Sequence, residues 1–329
     1  MTIRARRTVM SGVPIAVPEF SPEPEQPNLR RPACLLETIW MAGRLFSMTK
    51  IKKVSAISTG RVAIHPEHVR ASGKPQLWWV MTSRRWTAPR PINVYVIEHE
   101  DGLVLFDTGQ DRASVTDPGY FPGGFTGLIY KRLARFEIGE SDTLTAKLAA
   151  QGYDIADVTT AIISHLHQDH IGGLRELTHA QILVSAEEWA SLREPRPEMR
   201  GLLRSHIELP GLRWTHPRFR KTDDIAPFTE GHDLFGDGSL VLVRTPGHTP
   251  GSMSLLVRRQ GRGPLLMVGD LTYDDHLLEE GHIAGVGAKG PLHATTAQVN
   301  EFRRRNPGLK ILAAHDPNAA AALATSERT

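Results

Sequence analysis

The stretch AIISHLHQDHIGGL places His165, His167, Asp169 and His170 within six residues. Imidazole and carboxylate together suit zinc and related divalent ions. His165 and His167 are two apart, so at the end of an extended strand they lie on one side and can chelate a single ion. A helical zinc site would instead carry its histidines four apart. One histidine alone would mean little, because most are surface residues or hydrogen-bonded core residues. Four neighbouring charged or half-charged groups are different: they repel, or stay unsatisfied in apolar surroundings, unless a cation compensates them.

The elements that must deliver this cluster are strands. An apolar, β-branched run over 158–163 reads as the strand leading into it, and Gly172 and Gly173 then let the backbone turn away. A strand over 239–245 runs into Pro246-Gly247-His248-Thr249-Pro250-Gly251, whose Pro and Gly content demands a strongly turned loop. Strands over 264–268 and 310–314 end at Asp270 and His315. Four strands thus end in candidate ligands. A hairpin over 92–98 and 102–106 ends at Asp107, which either orients a ligand histidine through its other ring nitrogen or caps a turn. Helices are expected over 142–152 and 186–192, with a strand over 181–185 between them. Trp78, Trp79 and Trp86 either wall an apolar pocket or fill core. His179, His206, His216 and His232 have no partner at ligand spacing and read as ordinary histidines.

A chain of 329 residues is long enough for one large α/β domain or two small ones. Its 40% hydrophobic and 23% charged residues are ordinary for a soluble protein. A net charge of +3 without a long Lys/Arg run does not imply a nucleic-acid partner. The single cysteine, Cys34, excludes an intrachain disulfide and fits a reducing compartment, hence the cytoplasm. No stretch approaches the roughly 20 apolar residues of a membrane span. Residues 1–49 read as a flexible Pro-rich extension with a short amphipathic helix over 34–46. The main domain is expected over 50–318, followed by a tail over 319–329. The segment 110–141, rich in Pro, Gly and aromatic residues, reads as a long functional or interfacial loop.

With these residues in place, the chain resembles the metallo-β-lactamase superfamily from about residue 51 to residue 316. The resemblance rests on HLHQDHIGG, then Gly247-His248-Thr249, Gly269-Asp270 and Ala314-His315-Asp316 in the family's order, with Asp107 of LVLFDTG as the early aspartate. It implies an α/β fold, the αββα sandwich of two mixed β-sheets flanked by helices. It also implies two divalent metal ions, zinc above all: His165, His167 and His248 hold one, Asp169, His170 and His315 the other, and Asp270 bridges. A hydroxide shared by the ions is then the nucleophile. Tyr273, three residues after Asp270, and His315-Asp316-Pro317 are similar to the N-acyl-homoserine lactonase, or quorum-quenching, group. In that group the phenol polarises the lactone carbonyl and stabilises the oxyanion. The alternative is a packed tyrosine with a satisfied hydroxyl. Asp169 doubles as proton carrier to the leaving alkoxide. The expected substrate is a small-molecule lactone, with another ester, a glyoxalase-II-like thioester or an organophosphate as alternatives. A nuclease lacks its basic, aromatic-interleaved strip here, and a non-catalytic metal-binding protein is a third class. In similar lactonases an insertion at 110–141 helps form a dimer and borders the acyl pocket. Both uses, a homodimer included, are open to this segment.

Overall fold

Runs such as LVLF at 103–106 and LLMV at 265–268 are apolar at every position, which suits an extended chain covered on both faces. The computed structural model describes residues 50–328 and covers these strands in that way. The first seven strands are β1 (Ile51–Ile64), β2 (Arg90–His99), β3 (Gly102–Phe106), β4 (Ala134–Glu137), β5 (Val158–Ile162), β6 (Gln181–Leu183) and β7 (Arg213–Thr215). They form one mixed sheet in the order β4-β1-β2-β3-β5-β6-β7. The next six are β8 (Arg220–Lys221), β9 (Glu230–Asp233), β10 (Leu240–Arg244), β11 (Met253–Val257), β12 (Leu265–Gly269) and β13 (Lys310–Ala313). They form the second sheet, β13-β12-β11-β10-β9-β8, in which only β12 and β13 run parallel.

Strand alternation builds three layers of core from this arrangement. Val104 and Phe106 of β3 pack between the sheets with Leu240, Leu242, Leu255 and Met267. Leu103 and Leu105 point the other way, onto Leu144 and Leu148 of the helix Leu144–Ala149. Val241 and Val243 likewise face outward, with Leu292, Val299 and Phe302 of the helix Lys289–Arg305. The result is the expected helix–sheet–sheet–helix sandwich.

Two expectations need correction. The segment 319–329 is not a simple tail: Ala319–Arg328 is a helix, and Ala319 and Leu323, four apart, are buried in the layer between the sheets. The alanine-rich run AAAALA favours helix, and packing on β1 and β13 adds the hydrophobic gain. The core domain therefore extends beyond 318. Nor is 110–141 one long loop. It contains helices Ala113–Thr116 and Gly124–Leu133 and the strand β4, whose ladder on β1 is a non-local pairing that a four-residue run cannot announce. Of the two readings of the tryptophans, core holds for Trp79, which is buried with Val80 and Val286, while Trp78 is exposed and Trp86 lies on the His65 ring. The extension 1–49, its helix over 34–46 and Cys34 lie outside the described residues. Among those described, no helix is long and apolar enough to cross a membrane.

Candidate metal centre

The loops after β5, β10, β12 and β13 converge, although β5 belongs to one sheet and the other three strands to the second. They bring together all seven residues singled out by type and spacing. Three overlapping groups result, His165/His167/His248, His165/His170/Asp270 and Asp169/His170/His315, each with its ligand atoms within 4.8 Å of one another. His167 Nδ1 is 3.0 Å from both His165 Nε2 and His248 Nε2. Asp270 stands between the two halves: its Oδ2 is 3.5 Å from His248 Nε2, and its Oδ1 is 3.4 Å from both His170 Nε2 and His315 Nε2. Asp169 Oδ2 is 3.4 Å from His315 Nε2.

The donor set fits divalent cations. Nitrogen lone pairs 3.0 Å apart repel unless a proton or cation lies between them, and a tetrahedral ion with bonds of about 2.0–2.1 Å needs donors roughly 3.3 Å apart. His170 Nε2 and Asp270 Oδ1 are buried and make no hydrogen bond. Such orphaned atoms are costly unless an ion satisfies them.

The outer nitrogens of four of these rings are held so that the inner ones keep their lone pairs. His167 Nε2 donates to Arg200 O at 2.9 Å, and His315 Nδ1 donates to Pro91 O at 2.9 Å. His170 Nδ1 donates to Asp107 Oδ2 at 2.8 Å. His165 Nδ1 donates at 3.0 Å to Ser164 Oγ, which passes its own hydrogen to Asp107 Oδ2 at 2.9 Å. Asp107, at φ +63°, also accepts the Ser164 N–H at 2.7 Å. It therefore orients two imidazoles and ties down the loop at once. The buried Glu188 couples the loop after β5 to the loop after β10, accepting Leu166 N–H at 3.0 Å and Gly251 N–H at 3.1 Å. Ser164 and Glu188 carry no motif signal, so neither was singled out from the sequence.

Gly172 has an ordinary helical φ of −60°, so its value here is space rather than turning freedom: a Cβ would lie 2.1 Å from Asp111 N. Gly201 needs both properties, with φ +88° and a would-be Cβ 2.5 Å from His167 Cδ2. Gly201→Ala is expected to displace that ring and weaken ion affinity about 10- to 100-fold, the usual effect of disturbing ligand orientation. Competition against a chelator measures it, and unchanged affinity would show that the ring is not held there.

Charge in the centre is divided. Burial pushes His248 down to about 3, and burial with the neighbouring imidazoles pushes His165 well below the ordinary histidine value. Burial opposes protonation of His170 too, but the Asp107 and Asp270 carboxylates overcome it and raise His170 well above that value. Asp270 and Asp169 likewise raise His315 against its burial. Both aspartates stay ionised: despite burial, the His315 and His170 imidazoles hold Asp169 and Asp270 below the usual carboxylate range.

The centre forms the floor of a cavity of about 300 Å³, lined by the apolar Val62, Ile64, Ile129, Leu133, Phe136 and Val286 beside polar residues such as Gln76, Thr126 and Glu198. Ile129, Leu133 and Phe136 come from 110–141, so that segment does border the cavity. Tyr273, 2% exposed, donates its hydroxyl to Asp270 Oδ2 at 2.8 Å and stacks on His315 with centroids 5.6 Å apart. Burial and the Asp270 charge raise its phenol well above the ordinary value, so it remains a hydrogen-bond donor. Arg90 fixes the backbone beneath it, donating to Tyr273 O at 2.7 Å and His315 O at 3.3 Å. The structure adds His68, whose Nε2 lies 2.9 Å from the Tyr273 hydroxyl. No spacing rule links residues so far apart. His179, His206, His216 and His232 each bond a backbone carbonyl and stay outside the centre.

Residues 87–315 match the model of the metallo-β-lactamase superfamily. The N-acyl homoserine lactonase AttM of Azorhizobium caulinodans is 32% identical over 233 residues, covering 70% of this chain and 83% of that protein. Among solved structures, an N-acyl homoserine lactone hydrolase with N-hexanoyl-L-homoserine bound at its catalytic metal centre superposes with a TM-score of 0.64 at 23% identity, over 81% of this chain and 94% of that one. AidC, a dizinc quorum-quenching lactonase, superposes with a TM-score of 0.52 at 17% identity, over 83% of this chain and 92% of that one.

Proposed function

This chain belongs to the metallo-β-lactamase superfamily, and we propose that it is a dizinc hydrolase that opens the ring of N-acyl homoserine lactones. The observation that carries the reading is the Tyr273 hydroxyl, 2.8 Å from the central carboxylate Asp270 and facing a cavity whose lining includes Val62, Ile64, Ile129, Leu133, Phe136 and Val286. His165, His167 and His248 would hold one zinc ion, Asp169, His170 and His315 the other, and Asp270 both. Two such ions supply Lewis acidity for the carbonyl and a hydroxide nucleophile near neutral pH.

The remaining steps belong to the chain's own side chains. Val62, Ile64, Ile129, Leu133, Phe136 and Val286 receive an acyl chain, which sets the lactone ring over the floor of the cavity. The Tyr273 hydroxyl turns from Asp270 to the carbonyl oxygen and donates to the charge that develops there. Asp169 is held as a carboxylate and is less buried than His170 and His315. It accepts the proton released as the carbonyl carbon–oxygen bond forms and passes it to the ring oxygen when the ester bond breaks.

Tyr273→Phe is expected to lower kcat about 10²- to 10³-fold, the cost of one oxyanion donor, with zinc content unchanged. Single-turnover hydrolysis with metal analysis checks this. The wider reading is tested by titrating acid release from a panel of lactones, linear esters, thioesters and phosphotriesters with the zinc-loaded chain. Preference for a thioester or phosphotriester over every acyl homoserine lactone would overturn it.

A further inference from the structure

The Tyr273 hydroxyl has two neighbours, Asp270 and His68. His68 lies on the one-turn helix Pro66–Val69, 7% exposed, with Nε2 2.9 Å from the phenol oxygen. A phenol has one hydrogen, here directed at Asp270 Oδ2. Its oxygen can then only accept from His68, which places the imidazole hydrogen on Nε2. His68 Nδ1 is correspondingly buried without a hydrogen-bond partner. The ring is confined between Tyr273, at 5.0 Å between centroids, and Trp79, at 5.9 Å. Its backbone is pinned as well: Gly285 N–H donates to His68 O at 2.9 Å, in a contact so close that a Cβ on Gly285 would lie 1.8 Å from Glu67 O. Burial lowers His68 to about 4, so the ring is neutral and carries a single hydrogen.

We propose that His68 is a positioning residue for lactone opening: it donates through Nε2 to the Tyr273 oxygen, fixing the hydroxyl's place and strengthening it as a donor to the oxyanion. Hydrogen bonds in a chain polarise one another, so an oxygen that accepts from His68 releases its own hydrogen more readily to a partner. His68 neither gains nor loses a proton in this role. When the phenol hydrogen swings from Asp270 to the substrate oxygen, the bond from His68 stays in place. The inference rests on the reading of Tyr273 as the oxyanion donor.

The test uses the full zinc-loaded chain and two independent readouts. In kinetics with an acyl homoserine lactone, His68→Phe is expected to lower kcat about three- to tenfold, the net worth of one hydrogen bond, with KM and zinc content little changed. His68→Gln, which restores an N–H donor, should recover part of the loss. In a Tyr273→Phe background His68→Phe should cost nothing further. An equal loss in that background, or a change confined to KM, would overturn the proposal. The second readout needs no turnover and no variant at His68. Nitrogen-15 histidine spectra of the parent should show a ring hydrogen on Nε2 whose resonance moves in Tyr273→Phe. A hydrogen on Nδ1, or a resonance indifferent to Tyr273→Phe, would overturn it even if the substrate proves not to be a lactone.

Discussion

Asp270→Asn is expected to reduce lactone hydrolysis by about a thousandfold or more, at least roughly 4 kcal/mol of transition-state stabilisation, and to leave the purified chain short of metal. The reason lies in where its oxygens point, Oδ2 toward His248 and Oδ1 toward His170 and His315. An amide has one carbonyl oxygen and puts an N–H₂ group where the second acceptor was. The substitution also removes one of two carboxylates that offset the charge of the ions. Elemental analysis beside kcat/KM checks this, and a variant with parental zinc content and rate would refute the bridging role. A pH dependence accompanies it. His170 and His315 are raised by their carboxylate neighbours, so protons compete more strongly with an ion for their nitrogens than they would at an ordinary histidine. Metal loading is therefore expected to release protons, and apparent affinity to fall as the solution is acidified.

The second large effect concerns Asp107, which touches no substrate. Asp107→Ala strands three buried donors, the Ser164 N–H, the Ser164 O–H and His170 Nδ1–H. At about 1–3 kcal/mol for each donor left unsatisfied, the loss amounts to several kcal/mol, a large share of a typical domain's stability. Asp107→Asn separates fold from function. Asparagine tolerates the φ of +63° and its carbonyl still accepts from Ser164 N–H, so most of the stability should remain. Its N–H₂ group, however, would face His170 Nδ1, favouring the tautomer with the hydrogen on Nε2, the nitrogen needed for the ion. Asp107→Asn should therefore melt near the parent yet bind the second zinc about 10- to 100-fold more weakly. Thermal melts with stepwise zinc titration distinguish the cases. Two equally tight sites in Asp107→Asn would show that this aspartate does not set the tautomer.

Residue type and local spacing picked out the first part of the centre, and the order of the family's motifs joined His248, Asp270 and His315 to it. His165, His167, Asp169 and His170 sit within one turn of chain, and His248, Asp270 and His315 each follow an apolar strand, so period-two geometry and a tight loop already determine how they are presented. The two mixed sheets followed from the family resemblance, because strands apolar on both faces say only that each is covered on both sides and not how the strands divide between sheets. Other features belong to the tertiary structure alone. Glu188 reaches Leu166 and Gly251, Asp107 reaches His170, and His68 meets Tyr273 from 205 positions away. Residues 319–328 became a packed helix, and Phe136 a cavity wall, only through contact with distant strands. The candidate ligands could be read from the sequence because their presentation is a local backbone property. Their orientation, the partner of the phenol and the shape of the cavity depend on which side chains the packing of two sheets brings within 3 Å, and no periodicity along the chain encodes that.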